Sequence, residues 1–181
     1  PDGACPECTG LGTKMVLDEE AIISPSLNLL EGAIIPLASQ FENRTWLAKL
    51  IIEALASVGF SAEQPLFQIT EAQKKVLFLG TGDKVFSVKG YNHQGKLTTW
   101  KSRFEGLSKE FSRRYTETSS EVIKEEIEKY MIKKVCPVCN GNRLKPEVLA
   151  VHVDGHSISE VTSWSIGNDL VFFSNISAKL S

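Results

Sequence analysis

The chain has 181 residues, 42% hydrophobic and 23% charged, a globular composition sufficient for one core or for one core with a small appendage. No apolar run approaches the roughly 20 residues that cross a bilayer, because the longest, residues 48–58, is broken by Lys49 and Glu53. The start at Pro1 shows no basic-then-apolar leader, so the expectation is a cytoplasmic piece of a longer polypeptide, neither membrane-inserted nor secreted.

The formal net charge of -2 hides an uneven distribution. Residues 1–88 carry 6 basic and 11 acidic side chains, residues 89–145 carry 13 and 7, and the remainder 1 and 4. An anionic partner is therefore expected at the middle of the chain.

In chain order, the first motif is Cys5-Pro6-Glu7-Cys8-Thr9-Gly10, and it recurs as Cys136-Pro137-Val138-Cys139-Asn140-Gly141. These pairs hold all four cysteines. Proline presets each turn, and glycine permits the positive φ that folds backbone amides around the second sulfur. Adjacent CxxC cysteines make a strained bridge and a redox CxxC needs no duplicate, so a structural tetrahedral zinc on Cys5, Cys8, Cys136 and Cys139 is favoured over disulfides or a redox pair. Four thiolates leave no open coordination position, which argues against hydrolytic chemistry. His93, His152 and His156 read as surface or turn residues.

Between the knuckles, RTWLAKLIIEALASVGF (44–60) repeats apolar residues at helical spacing, with Asn43 as the expected cap and Gly59 as the stop. A shorter helix is expected from Thr70 through Leu79. Runs 84–91 and 96–103, separated by Asn92-His93-Gln94-Gly95, read as a hairpin. Helices are expected within 104–115 and over 119–134, the latter capped by Ser119 or Ser120 with Ile123, Ile127 and Tyr130 as its apolar stripe. Beyond the second knuckle, Val148 to Val153 reads as a strand closed by Asp154-Gly155, and 163–176 as a final helix.

GTGDKVFS (80–87) lacks the spacing of a phosphate-binding loop and reads as the turn entering the hairpin. No catalytic set of side chains stands out, so this segment is not expected to be an enzyme. The fold class expected is α+β: helices with a β-hairpin or small antiparallel sheet (15–134), inserted between a first zinc knuckle (1–14) and a second with its following strand and helix (135–181).

GACPECTGLG (3–12), FEG (104–106), RRYTETSSE (113–121), CPVCNGNRLKPEVLAVHVDG (136–155) and SIGNDLVFF (165–173) together resemble the UvrA family of the excinuclease ABC system over nearly the whole chain. The resemblance implies the zinc module and mobile insertion domain in the first half of a damage-sensing ABC-type ATPase of nucleotide excision repair. It implies double-stranded and damaged DNA as partners, a helicase-like protein of the UvrB type, and a homodimeric parent that binds ATP outside this segment. Cys5, Cys8, Cys136 and Cys139 match the family's cysteine positions. The family also carries a CxxC upstream of Pro1, so two pairings of the knuckles stay open, and the matched C-P-x-C-x-G turns favour pairing within this chain.

The basic segment then supplies the candidate DNA contacts: Lys96, Lys101, Arg103, Lys109, Arg113 and Arg114, with Lys133, Lys134, Arg143 and Lys145 flanking the second knuckle. Lysine and arginine neutralise phosphates without reading bases. Strand alternation places Thr99, Lys101 and Arg103 on one face. Trp100 or Tyr91 is available to stack on bases, with burial in the hairpin as the competing role. Two other functions compete: docking of a repair partner, and client binding of the DnaJ chaperone type, whose zinc modules use similar CxxCxGxG pairs but in a denser set.

Overall fold

The computed structural model describes residues 2–91 and 97–179. Its elements are β1 (Thr13–Leu17), α1 (Ala38–Glu42), α2 (Trp46–Ala56), α3 (Glu71–Leu79), β2 (Val85–Tyr91), β3 (Leu97–Arg103), α4 (Leu107–Glu117), α5 (Glu121–Glu128), β4 (Met131–Val135), α6 (Pro146–Leu149), β5 (His152–Val153), β6 (His156–Ser157), α7 (Ile158–Val161) and α8 (Ile166–Lys179). The strands form three two-stranded sheets, β1 with β4, β2 with β3, and β5 with β6. The architecture is therefore α+β, with helices around small sheets. Two compact units result, residues 16–132 and residues 1–15 with 133–181. Among the described residues no helix is long and apolar enough to cross a membrane.

The core of the larger unit is built on α2, which buries Leu47, Ala48, Leu50, Ile51, Ala54 and Leu55. Helix α2 packs against β2, α3 and α1, and α4 packs against α3 and α5. Ile51 is fully buried, so truncating it to alanine is expected to cost about 2–5 kcal/mol. The cap of α2 is Thr45, whose hydroxyl accepts from the Ala48 amide at 3.4 Å. Asn43, expected there, instead closes α1 and donates to the Ser39 carbonyl. Arg44, at φ +47°, breaks the chain between the two helices and moves the start of α2 onward.

Helix α3 begins at Thr70 with a reciprocal cap, Thr70 to Gln73. Its end meets the entry to α4 at a backbone crossing. A Cβ on Gly80 would lie 2.4 Å from the Phe104 carbonyl oxygen, and one on Gly106 would lie 2.3 Å from that of Phe78. Both glycines sit at φ +88°, and the Thr81 amide donates to Phe104 across the crossing. FEG (104–106) thus has a steric role, allowing two turns to touch through bare backbone.

The helix expected over 119–134 is a correction. Helix α5 stops at Glu128, and Met131–Val135 turns extended to pair with β1. Ile132 and Val135 favour the pleated conformation, and a sheet partner from near the start of the chain decides it. Of the expected stripe, Ile127 is buried while Ile123 is 50% exposed. The hairpin strands pair as expected, with Val88 opposite Trp100, while its turn, Asn92 to Gly95, lies outside the described residues.

In the smaller unit, Val148 and Leu149 are helical rather than extended, because Pro146 at the first helical position starts α6. The strand is confined to His152–Val153, and Asp154 and Gly155 turn it at φ +50° and +82°. His156, Trp164 and Phe172 meet edge-to-face. His156 and Phe172 also line an apolar groove of about 410 Å³, with Val151, Val153 and Ile158 beside the α8 residues Phe173 and Ile176.

Candidate metal centre and nucleic-acid interface

The two knuckles are wired identically and to each other. Gly12 and Arg143 stand at the same offset after Cys5 and Cys136, at φ +75° and +67°. The Gly12 amide donates to Cys8 Sγ at 3.2 Å, and the Arg143 amide is turned toward Cys139, where it favours the thiolate. The Gly12 carbonyl accepts the Cys136 amide at 2.9 Å, while the Arg143 carbonyl accepts the Cys5 amide at 2.8 Å. Each knuckle thereby secures the first cysteine of the other. Thr9 with Gly10 and Asn140 with Gly141 supply matching positive φ angles, as the shared C-P-x-C-x-G pattern requires.

The result brings four sulfurs within 4.8 Å of one another, all on buried residues, with Cys8 and Cys139 Sγ 3.6 Å apart. Burial pushes the Cys8 thiol up, but the Gly12 amide, the Cys139 thiol and the Gly10 amide outweigh it and bring it down to about 7. Cys139 is pushed up to about 11 by burial and by its hydrogen bond to Cys8, against the amides of Arg143 and Gly141. Backbone donors are thus already aimed at the sulfurs. Soft sulfur donors, four in number and closed to solvent, fit a tetrahedral divalent ion of the zinc type. Among the described residues this is the one cluster of three or more His, Cys, Asp or Glu with such geometry. His152 bonds the Ala150 carbonyl and His156 packs on Trp164, so neither joins it, and His93 lies outside the described residues.

The basic residues divide by their partners. On the hairpin, Phe86 and Val88 are buried, so alternation turns Ser87 and Lys89 outward beside Thr99, Lys101 and Arg103. Arg103 is bound by Asp83 at 2.6 Å. Lys89 and Lys101 are in no ion pair among the described residues. Lys89 is the candidate that the basic segment alone did not single out; register reveals it, since Lys89 pairs with Thr99 and neighbours Lys101 diagonally. Trp100 is half-buried against Gly90, where an added Cβ would lie 2.9 Å from its ring.

On α4 the charges are answered locally. Lys109 pairs with Glu105, Arg113 with Glu110 and Glu117, and Arg114 with Glu110. Burial raises the Glu110 carboxyl, but hydrogen bonds from Arg113 and Arg114 prevail and hold it below its usual range. Lys133 and Lys134 are exposed on β4, Arg143 is exposed with its side chain over Gly12, and Lys145 is half-buried. Lys96 and the side chain of Tyr91 lie outside the described residues.

An α+β insertion carried between two cross-wired two-cysteine knuckles, which together form one four-cysteine cluster, defines the class of this protein. The family model described as "UvrA DNA-binding domain" matches residues 18–129. UvrABC system protein A of Bacillus subtilis is 35% identical over 181 residues, covering 97% of this chain and 18% of that protein. The counterparts in Oceanobacillus iheyensis and Methanothermobacter thermautotrophicus are 37% and 32% identical, again with 97% of this chain and 18% of theirs covered. The chain belongs to the UvrA DNA-binding domain family, and it spans about 18% of the length of these relatives. The crystal structure of UvrA2 from Deinococcus radiodurans shares the fold, with a TM-score of 0.67 and 23% identity over 95% of this chain and 22% of that one.

Proposed function

We propose that this chain is the zinc-stapled, DNA-contacting segment of a UvrA-like nucleotide excision repair protein. Cys5, Cys8, Cys136 and Cys139 hold one structural zinc, and the insertion lays the outer face of its hairpin on the duplex backbone. The observation that carries the reading is that face: Lys89 and Lys101 without carboxylate partners among the described residues, interleaved with the hydroxyls of Ser87 and Thr99, in a family described as DNA-binding. Such side chains bind phosphates in any sequence, which suits a protein that must meet damage anywhere. Arg103 lies on the same face of β3, paired with Asp83, while Lys109, Arg113 and Arg114 are held in reserve by their carboxylates; Lys96, Lys133 and Lys134 stand as phosphate contacts on the sequence alone. The longer protein is read as a homodimeric ABC-type ATPase that binds ATP outside this chain and recruits a UvrB-type partner.

Fluorescence anisotropy with a labelled duplex, with and without a lesion, tests the reading. Lys89→Ala with Lys101→Ala is expected to weaken binding and lower the slope of log K against log salt by roughly two, one for each phosphate no longer neutralised. An unchanged slope would remove the hairpin from the interface.

A further inference from the structure

Arg143 occupies a conformation that glycine fills in the twin knuckle. At φ +67° an L-residue with a long side chain is strained, and Gly12 shows that the wiring itself needs only backbone. The side chain is placed with a purpose: a Cβ on Gly12 would lie 3.0 Å from Arg143 Cγ, 3.4 Å from its Nε and 2.9 Å from the Gly141 carbonyl oxygen. The bare residue of one knuckle is the seat for the long residue of the other. Gly12 is buried beneath this stem, and it is the Gly12 amide that donates to Cys8 Sγ. Arg143 is in no ion pair among the described residues.

Four thiolates around one divalent ion leave two net negative charges. We propose that Arg143 is the counter-charge and positioning residue of the four-cysteine centre, its stem keeping water from the Gly12 amide that holds Cys8 and its guanidinium offsetting the thiolate charge. This rests on the zinc reading above, and it takes Arg143 out of the DNA surface. Partners beyond the ligands tune metal retention as the ligands do.

The test follows zinc release from the zinc-loaded chain into excess chelator, with thiol alkylation read in parallel. Arg143→Gly removes charge and stem while relieving the backbone, and it is expected to release zinc roughly tenfold faster. Arg143→Gln should behave similarly, and Arg143→Lys should stay near the wild-type rate. Release from Arg143→Gly at the wild-type rate, or from Arg143→Lys as fast as from Arg143→Gly, overturns the proposal while leaving the zinc centre standing. A wild-type chain that holds no zinc overturns both. Duplex binding by zinc-loaded Arg143→Gly should keep its salt slope, and a fall of about one would assign the charge to a phosphate instead.

Discussion

Glu110 and Arg114, one helical turn apart on α4, are joined by a 2.7 Å bond from Nε to Oε1, and the other oxygen of the same carboxylate accepts Arg113 at 2.9 Å. One acid thus occupies two of the bases that charge counting alone would assign to DNA. Glu110→Gln is expected to raise duplex affinity, by up to roughly tenfold at low salt if both guanidinium groups then reach phosphates. Arg113→Ala with Arg114→Ala should cost less than Lys89→Ala with Lys101→Ala. Anisotropy titrations on the four proteins check the order, and equal losses from the two double variants would refute it.

The same carboxylate gives a pH dependence. Its folded pKa is depressed, so its contribution to stability is complete above the unfolded value, near 4.5, and is lost as pH falls through the folded value. Urea midpoints of wild type and Glu110→Gln should differ at neutral pH and converge at acid pH. Helix pairs of this spacing are worth a few tenths of a kcal/mol each, so a gap of about 0.5–1 kcal/mol is expected.

Metal removal should act on one unit. Residues 16–132 have a core of their own around α2, whereas the knuckles are held by four sulfurs and the exchanged backbone bonds of Gly12 and Arg143. Cys136→Ser or chelation should take zinc from about one per chain to none. Hydrogen exchange should then lose protection at the Cys5 and Cys136 amides while α2 stays protected. Zinc retained by Cys136→Ser would point instead to Cys5 and Cys8 closing a site with another chain segment.

Much of this was legible in the sequence where a pattern is local. The face of α2 follows from apolar spacing, the hairpin from alternation around a polar turn, and the four-cysteine cluster from a repeated hexapeptide. The pairing of Arg113 and Arg114 was also written there, since Glu110 stands three and four residues before them. What escaped was decided at a distance. Met131–Val135 continues the helical period of α5 until a strand from the opposite end of the chain claims it. The special standing of Arg143 needed the fold, because only the exchange of bonds between knuckles shows that its place is a glycine's place.

The crossing of Gly80 and Gly106 carries the last prediction. A methyl group at Gly106 meets the Phe78 carbonyl oxygen at 2.3 Å and the Gly80 amide at 2.6 Å, both backbone atoms that cannot step aside without parting α3 from α4. Gly82 has nothing within 4 Å of its Cβ position, although it too has positive φ. Gly82→Ala should therefore cost only the conformational term, about 1–2 kcal/mol, and Gly106→Ala that term plus the clash, more than about 3 kcal/mol in all. Denaturant unfolding followed by circular dichroism and tryptophan fluorescence measures both. Equal losses would mean that the two turns yield, and that FEG is required for conformation alone.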